Sequence, residues 1–177
     1  MLQLVRMCVM ASVGMMALVA SARSDDAPNA AANQVTGLFT QSCIQFAGDA
    51  AGLRAWADGT GLKALPAEAQ KHFLHNLPGI VFDASNRQGK FVMISYDGGS
   101  CSVVAQLASG PVAIADLERD MNDARIAYKM TGEKSDPDER SLKHREYLAS
   151  LGQREWLLRV STVKNTAGQV MLTASRN

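Results

Sequence analysis

The sequence predicts an α+β domain in which N-terminal helices cap a mainly antiparallel meander sheet and one long helix crosses it. Three observations carry this reading. Apolar residues recur at three- and four-residue steps before residue 78 and again over 114–124. The stretches 80–105 and 126–174 are instead rich in β-branched and aromatic runs, and clusters of Gly, Asn, Asp and Ser cut them into strand-sized pieces.

The first residues read as an address. Arg6 gives a short positive region, residues 7–19 are apolar, and Ala20-Ser21-Ala22 or Ala22-Arg23-Ser24 supplies the small-residue pattern of a cleavage site. The expectation is a secretory signal peptide over 1–24, removed after Ala22 or Ser24, and a protein of the periplasm or the secreted fraction. The apolar run is too short to span a bilayer, which needs about 20 apolar residues, so no membrane span is expected in the mature chain. Cys8 lies inside that run rather than after its small-residue end, which argues against a lipid anchor.

Residues 25–33 are polar and Ala-rich with Pro28, and are expected to form a flexible mature N-terminus before a single domain over 34–177. Val35, Leu38, Phe39, Ser42 or Cys43, and Phe46 share one helical face, which puts Cys43 on the buried side. Asp49 suits the cap of a second helix carrying Leu53 and Trp56, stopped by Gly59 and Gly61. Pro66 suits a third helix start, with Phe73 and Leu77 as core contacts before Pro78-Gly79 breaks the chain. These three helical pieces are expected to cap the strands that begin at Ile80.

Residues 80–82 and 91–94 form a hairpin across the turn 85–88-Gly89, and 97–100 turns the chain into a further strand at Cys101. After Gly110-Pro111, Ile114, Leu117, Met121 and Ala124 return to helical spacing, with Glu118, Arg119, Asp120 and Asp123 on the solvated side. Strands are then expected over 126–133, 142–150, 156–163 and 170–174. Within the third of these, Trp156, Leu158 and Val160 share one face and Arg159 and Ser161 the other. This second antiparallel run is expected to extend the same sheet.

Loss of Cys8 with the leader leaves Cys43 and Cys101 as the one possible pair in an oxidising compartment, so a disulfide is expected; a free or catalytic thiol is the alternative, but neither cysteine has a basic neighbour in sequence. Loss of Arg6 and Arg23 turns the formal charge from +1 to −1. Such a balance lacks the basic excess that draws a domain to phosphate backbones, so nucleic acid is not an expected partner.

No catalytic signature stands out, and no residue is assigned a catalytic role. Gly59-x-Gly61 and Gly98-Gly99 do not follow a strand and open a helix as a dinucleotide loop must, and no cofactor is expected. His72 and His75 are three apart but lack the further ligands of a zinc site, so no metal is expected either. The distinctive surface is in the late strands, where Lys143, His144, Arg145, Arg154 and Arg159 place cations near Tyr147 and Trp156, a mixture that suits a partner-binding face.

The residues Phe39-x-x-x-Cys43, Leu53-x-x-Trp56, Pro78-Gly79-Ile80, the 86–89 turn and Gly99-x-Cys101-x-Val103 resemble small exported proteobacterial proteins of uncharacterised function. The resemblance covers about 38–104, implies export and the cysteine pairing, and brings no activity with it. The expected function is a periplasmic, non-enzymatic binding or inhibitory and accessory protein that recognises another protein. Two alternatives stand beside it: a carrier of a small apolar ligand in a pocket lined by Phe39, Trp56 and Phe82, and a hydrolase with a site around His72, His75 and Asp83.

Overall fold

The periodic spacing at the start of the domain becomes a longer helix than the sequence reading expects. The computed structural model describes residues 26–139, 141–163 and 167–177; the leader expected over 1–24 lies outside them. Helix α1 (Asp26–Phe39) already includes residues 26–33 of the stretch expected to be flexible, and Ala31 and Ala32 are buried beside Val35 and Phe39. The Ala-rich composition that suggested a mobile lead is what lets α1 approach the sheet closely. A wide π-helical turn over Thr40–Ile44 follows and buries Ser42, Cys43 and Ile44. Ser42 and Thr40 satisfy their hydroxyls locally, donating to the carbonyls of Leu38 (2.6 Å) and Gly37 (3.0 Å).

Helix α2 (Ala50–Gly59) starts where expected: the Asp49 carboxylate accepts the Gly52 N–H at 2.8 Å, capping an otherwise unpaired donor. It buries Leu53 and Ala57, while Trp56 leans on Phe46 with ring centroids 6.4 Å apart. Arg54 fastens α2 to the sheet through the Ser95 hydroxyl and carbonyl, both at 3.2 Å, and through an ion pair with Asp97.

The remaining elements are β1 (Lys63–Ala64), α3 (Ala67–Leu74), β2 (Gly79–Asp83), β3 (Phe91–Tyr96), β4 (Cys101–Ser109), α4 (Gly110–Asp123), β5 (Ala127–Ser135), β6 (Leu142–Leu151), β7 (Arg154–Val163) and β8 (Ala167–Arg176). The strands form one antiparallel sheet in the order β1-β2-β3-β4-β8-β7-β6-β5. The first meander runs out to β4. Helix α4, with Pro111 in its first turn, then carries the chain to the far edge at β5, and the second meander returns until β8 pairs with β4. The second run of strands therefore does extend the first sheet.

One face of the sheet holds the main core. Phe39, Leu53, Phe91, Met93, Val103, Leu117, Met121, Tyr147, Trp156, Leu158 and Leu172 meet there, drawn from α1, α2, α4 and the strands β3, β4, β6, β7 and β8. The three N-terminal helical pieces do not form a single cap, however. Helix α3 lies on the opposite face, where Phe73 and Leu74 pack on a smaller cluster of Val81, Ile94 and Val104. This corrects the expected arrangement: the strands of the first meander are apolar on both faces, and a sheet buried on both sides needs cover on both. The same face of β6 and β7 is left open, with Leu148 and Leu157 38% and 37% exposed.

A disulfide joins Cys43, in the turn after α1, to Cys101, the first residue of β4, with Cα atoms 5.2 Å apart. Beside it, the Gly48 N–H donates to the Gly99 carbonyl at 2.9 Å. Both glycines have positive φ (+87° and +85°), and a Cβ on Gly99 would stand 2.9 Å from the Gly48 Cα, so the two backbones touch where no side chain fits.

Candidate functional site

The alternation read in the late strands is present, and it divides the expected binding face. In β6 and β7, Tyr147, Ala149, Trp156, Leu158 and Val160 point to the helix-covered side and are buried. Tyr147 and Trp156, 0% and 2% exposed, are core residues rather than surface anchors, which corrects their expected place in a docking face. Arg159 points the other way and pairs with Glu146 at 2.8 Å. Arg154 stays at the end of β7 with its guanidinium 5.5 Å from the Trp156 ring centroid. Lys143 and Arg145 sit on the helix-covered side, beyond the reach of the core. The six residues thus fall in four places, because large aromatics on a strand go to the side where helices can bury them.

Lys143 and Arg145 line a cleft of about 300 Å³ between the first turn of α4 (Pro111, Ile114) and Glu133, Thr162 and Val163. Gly110 permits this geometry, since a Cβ there would meet the Thr162 Cβ at 2.9 Å. The charges inside the cleft are spent on one another. Glu133 accepts from Arg145 at 2.8 Å and Lys143 at 3.3 Å, and those two cations hold its carboxyl below the usual range. Arg145 also reaches Glu118 at 3.4 Å, and the Tyr147 hydroxyl donates to Glu118 at 2.6 Å. Burial first, and this bond to a carboxylate second, push the Tyr147 phenol up, so it remains a donor. The cleft is a closed ion network with little attraction left over for an anion.

A different set of polar side chains converges on the open side of the sheet. His144 on β6 stands directly opposite Ser161 on β7. Its Nδ1 is 2.8 Å from the Ser161 Oγ, and its Nε2 is 2.8 Å from the Asp136 Oδ2, just past the end of β5. The other Asp136 oxygen accepts the N–H groups of Asp138 (2.9 Å) and Glu139 (2.8 Å). The His144 contact, then these backbone donors, lower the Asp136 carboxyl to about 2. An ionised carboxylate only accepts, so Nε2 carries the hydrogen of that bond and, in the neutral ring, Nδ1 accepts from the Ser161 hydroxyl.

Sequence reasoning missed this trio, although one signal was available. The tight turn at Gly152-Gln153 fixes the β6–β7 register, and that register sets His144 against Ser161. The histidines that drew attention instead are not assembled: His72 and His75 are exposed, His75 ends α3 in the left-handed region (φ 47°), and the exposed Asp83 accepts from the Ser85 N–H at 2.9 Å in a turn. Phe39 and Phe82 are 0% and 3% exposed in the main core, with Trp56 packed at its margin, so they fill space rather than line a ligand pocket. Among the described residues no group of three or more His, Cys, Asp or Glu is placed to hold a metal ion, and no helix is long and apolar enough to cross a membrane.

The fold defines the chain as an α+β domain built on one eight-stranded antiparallel sheet with a disulfide at its base. Comparison with protein-family models, with curated proteins and with solved structures returns no significant match.

Proposed function

We propose that this chain is an exported, periplasmic or secreted binding protein that acts as an inhibitory or accessory factor by docking another protein on the open half of its sheet. The observation that carries the reading is the pairing of Leu148 with Leu157, side by side on that face and more than a third exposed. Around them stand Lys129, Glu146, Arg159 and Ser175, so a small apolar centre has a charged and polar rim, the usual anatomy of a protein interface. Of the cations read from the sequence, Arg159 belongs to this face, whereas Arg154 lies on the helix-covered side beside Trp156.

The Cys43–Cys101 disulfide supports an oxidising compartment, since such bonds are rare where thiols are kept reduced. Export is tested by the mass of the protein recovered from the periplasm, which should begin after Ala22 or Ser24. Docking is tested by recovering the partner from the same fraction and measuring its affinity for Leu157→Glu and for Arg159→Glu. At least about a tenfold weakening, equivalent to about 1.4 kcal/mol, is expected for each. Unchanged affinity in both would remove this face.

A further inference from the structure

The same open face carries a second feature that docking does not use. Ser161, His144 and Asp136 form a continuous chain of two 2.8 Å hydrogen bonds, hydroxyl to imidazole to carboxylate. A surface histidine bonded to one neighbour is ordinary. Here both ring nitrogens are engaged, and the carboxylate on Nε2 leaves a lone pair on Nδ1 aimed at the serine hydroxyl, which is the arrangement that turns a weak hydroxyl into a nucleophile. The ring is 15% exposed and fixed at both ends, while Ser161 keeps partial access to solvent.

We propose that Ser161, His144 and Asp136 form a nucleophilic relay in which Ser161 accepts the acyl group of a carboxylic ester. The Ser161 Oγ attacks the ester carbonyl carbon as its proton passes to the His144 Nδ1. The tetrahedral adduct then expels the alcohol, which takes the proton back from His144, and leaves an acyl-serine. Water, deprotonated by the same nitrogen, attacks that acyl carbon; the bond to the Ser161 Oγ breaks, Oγ takes the proton back from His144, and the carboxylic acid leaves with Ser161 restored. Water is the one co-reactant.

Asp136 keeps the ring in the tautomer this requires and balances the imidazolium that forms, and its low carboxyl pKa keeps it ionised throughout. Negative charge on the adduct has two cations within the same patch. Lys134 stands opposite His144 on β5, and Arg159 is two residues before Ser161 on the same side of β7. At rest both are drawn to Glu146, at 3.7 and 2.8 Å. Because Ser161 sits on a broad strand face rather than at the bottom of the cleft beyond α4, the ester it suits is one carried on a large molecule that can lie along the sheet.

The test uses the protein purified after expression of the full chain, with diisopropyl fluorophosphate as the probe and peptide mass spectrometry as the readout. A single adduct on Ser161 is expected, absent in Ser161→Ala. Its rate of formation should fall by at least about 100-fold in His144→Gln and at least about tenfold in Asp136→Asn. Asp136 lies at a strand end, so its variant keeps the test decisive should His144→Gln fold poorly; melting curves verify that each variant is folded. No adduct on Ser161 in the folded protein would overturn the proposal, as would labelling that Asp136→Asn leaves unchanged. The outcome is independent of docking: Leu157→Glu is expected to weaken the partner while labelling at Ser161 continues.

Discussion

Asp136 shows how one residue couples a loop to the sheet through protonation. Its carboxyl is lowered from 3.8 to about 2 by His144 and by two backbone N–H groups, so the folded state binds its proton less readily than the unfolded chain. The resulting stabilisation is fully present above pH 3.8 and is lost as the pH falls from there through about 2. Glu133 and Glu146, lowered by Arg145 and by Arg159 respectively, add to the loss on the same acid side. Asp136→Asn should therefore destabilise the protein at neutral pH, and the gap to the wild type should close on acidification to pH 2. Urea midpoints measured at pH 7, 4 and 2 read this directly, and a gap of constant size would contradict it. At this scale the sequence was informative about chemistry type but not about place. Trp156 and Tyr147 beside Arg and Lys had the composition of a binding patch, yet their burial depends on helices contributed by distant parts of the chain. Ser161 and His144, 17 residues apart, meet only through strand pairing.

Among the elements, α3 is the one whose side of the sheet could not be inferred locally. It is eight residues long and buries no residue fully, so its periodicity names Phe73 and Leu74 as contacts without saying which face receives them. Gln70 ties it to its neighbours: its side-chain amide donates to the Leu65 carbonyl at 2.6 Å and accepts the Val81 N–H at 3.2 Å. Gln70→Ala should cost about 1 to 3 kcal/mol, because the Val81 donor is left without its partner. Amide exchange in α3 and β1 should rise more than in β6 and β7; a uniform rise would mean that α3 is held mainly by its apolar contacts. The strands were more legible than the helices. Val81 and Ile94 fall inside β-branched runs with Gly, Asn and Ser between them, whereas β1 has two residues and leaves no pattern to find. The edge strand β5 also carries its own protection. Lys129, Lys134 and a register shift between Met130 and Gly132 discourage another strand from pairing there, which favours the broad face over the edge as a docking surface.

For the molecule as a whole, the disulfide and the β4–β8 pairing do separate work. Cys43 and Cys101 are 58 residues apart, and closing a loop of that size restricts the unfolded chain by roughly 4 kcal/mol on the chain-entropy view. The double variant Cys43→Ser, Cys101→Ser should lose a stability of that order in denaturant titration, and the wild type under reducing conditions should match it. An unchanged midpoint would show that α1 and the contact between Gly48 and Gly99 hold the cap without the bond. The pairing of the two meanders has a consequence in time rather than in energy. Strand β8 follows all the other strands in the chain yet lies between β4 and β7 in the sheet. As the polypeptide emerges from a ribosome or a membrane pore, both halves of the sheet must wait, each with an unpaired inner edge, until residues 167–176 arrive to close them together. A chain built in this order completes its sheet only once its last strand is free to insert between the two halves.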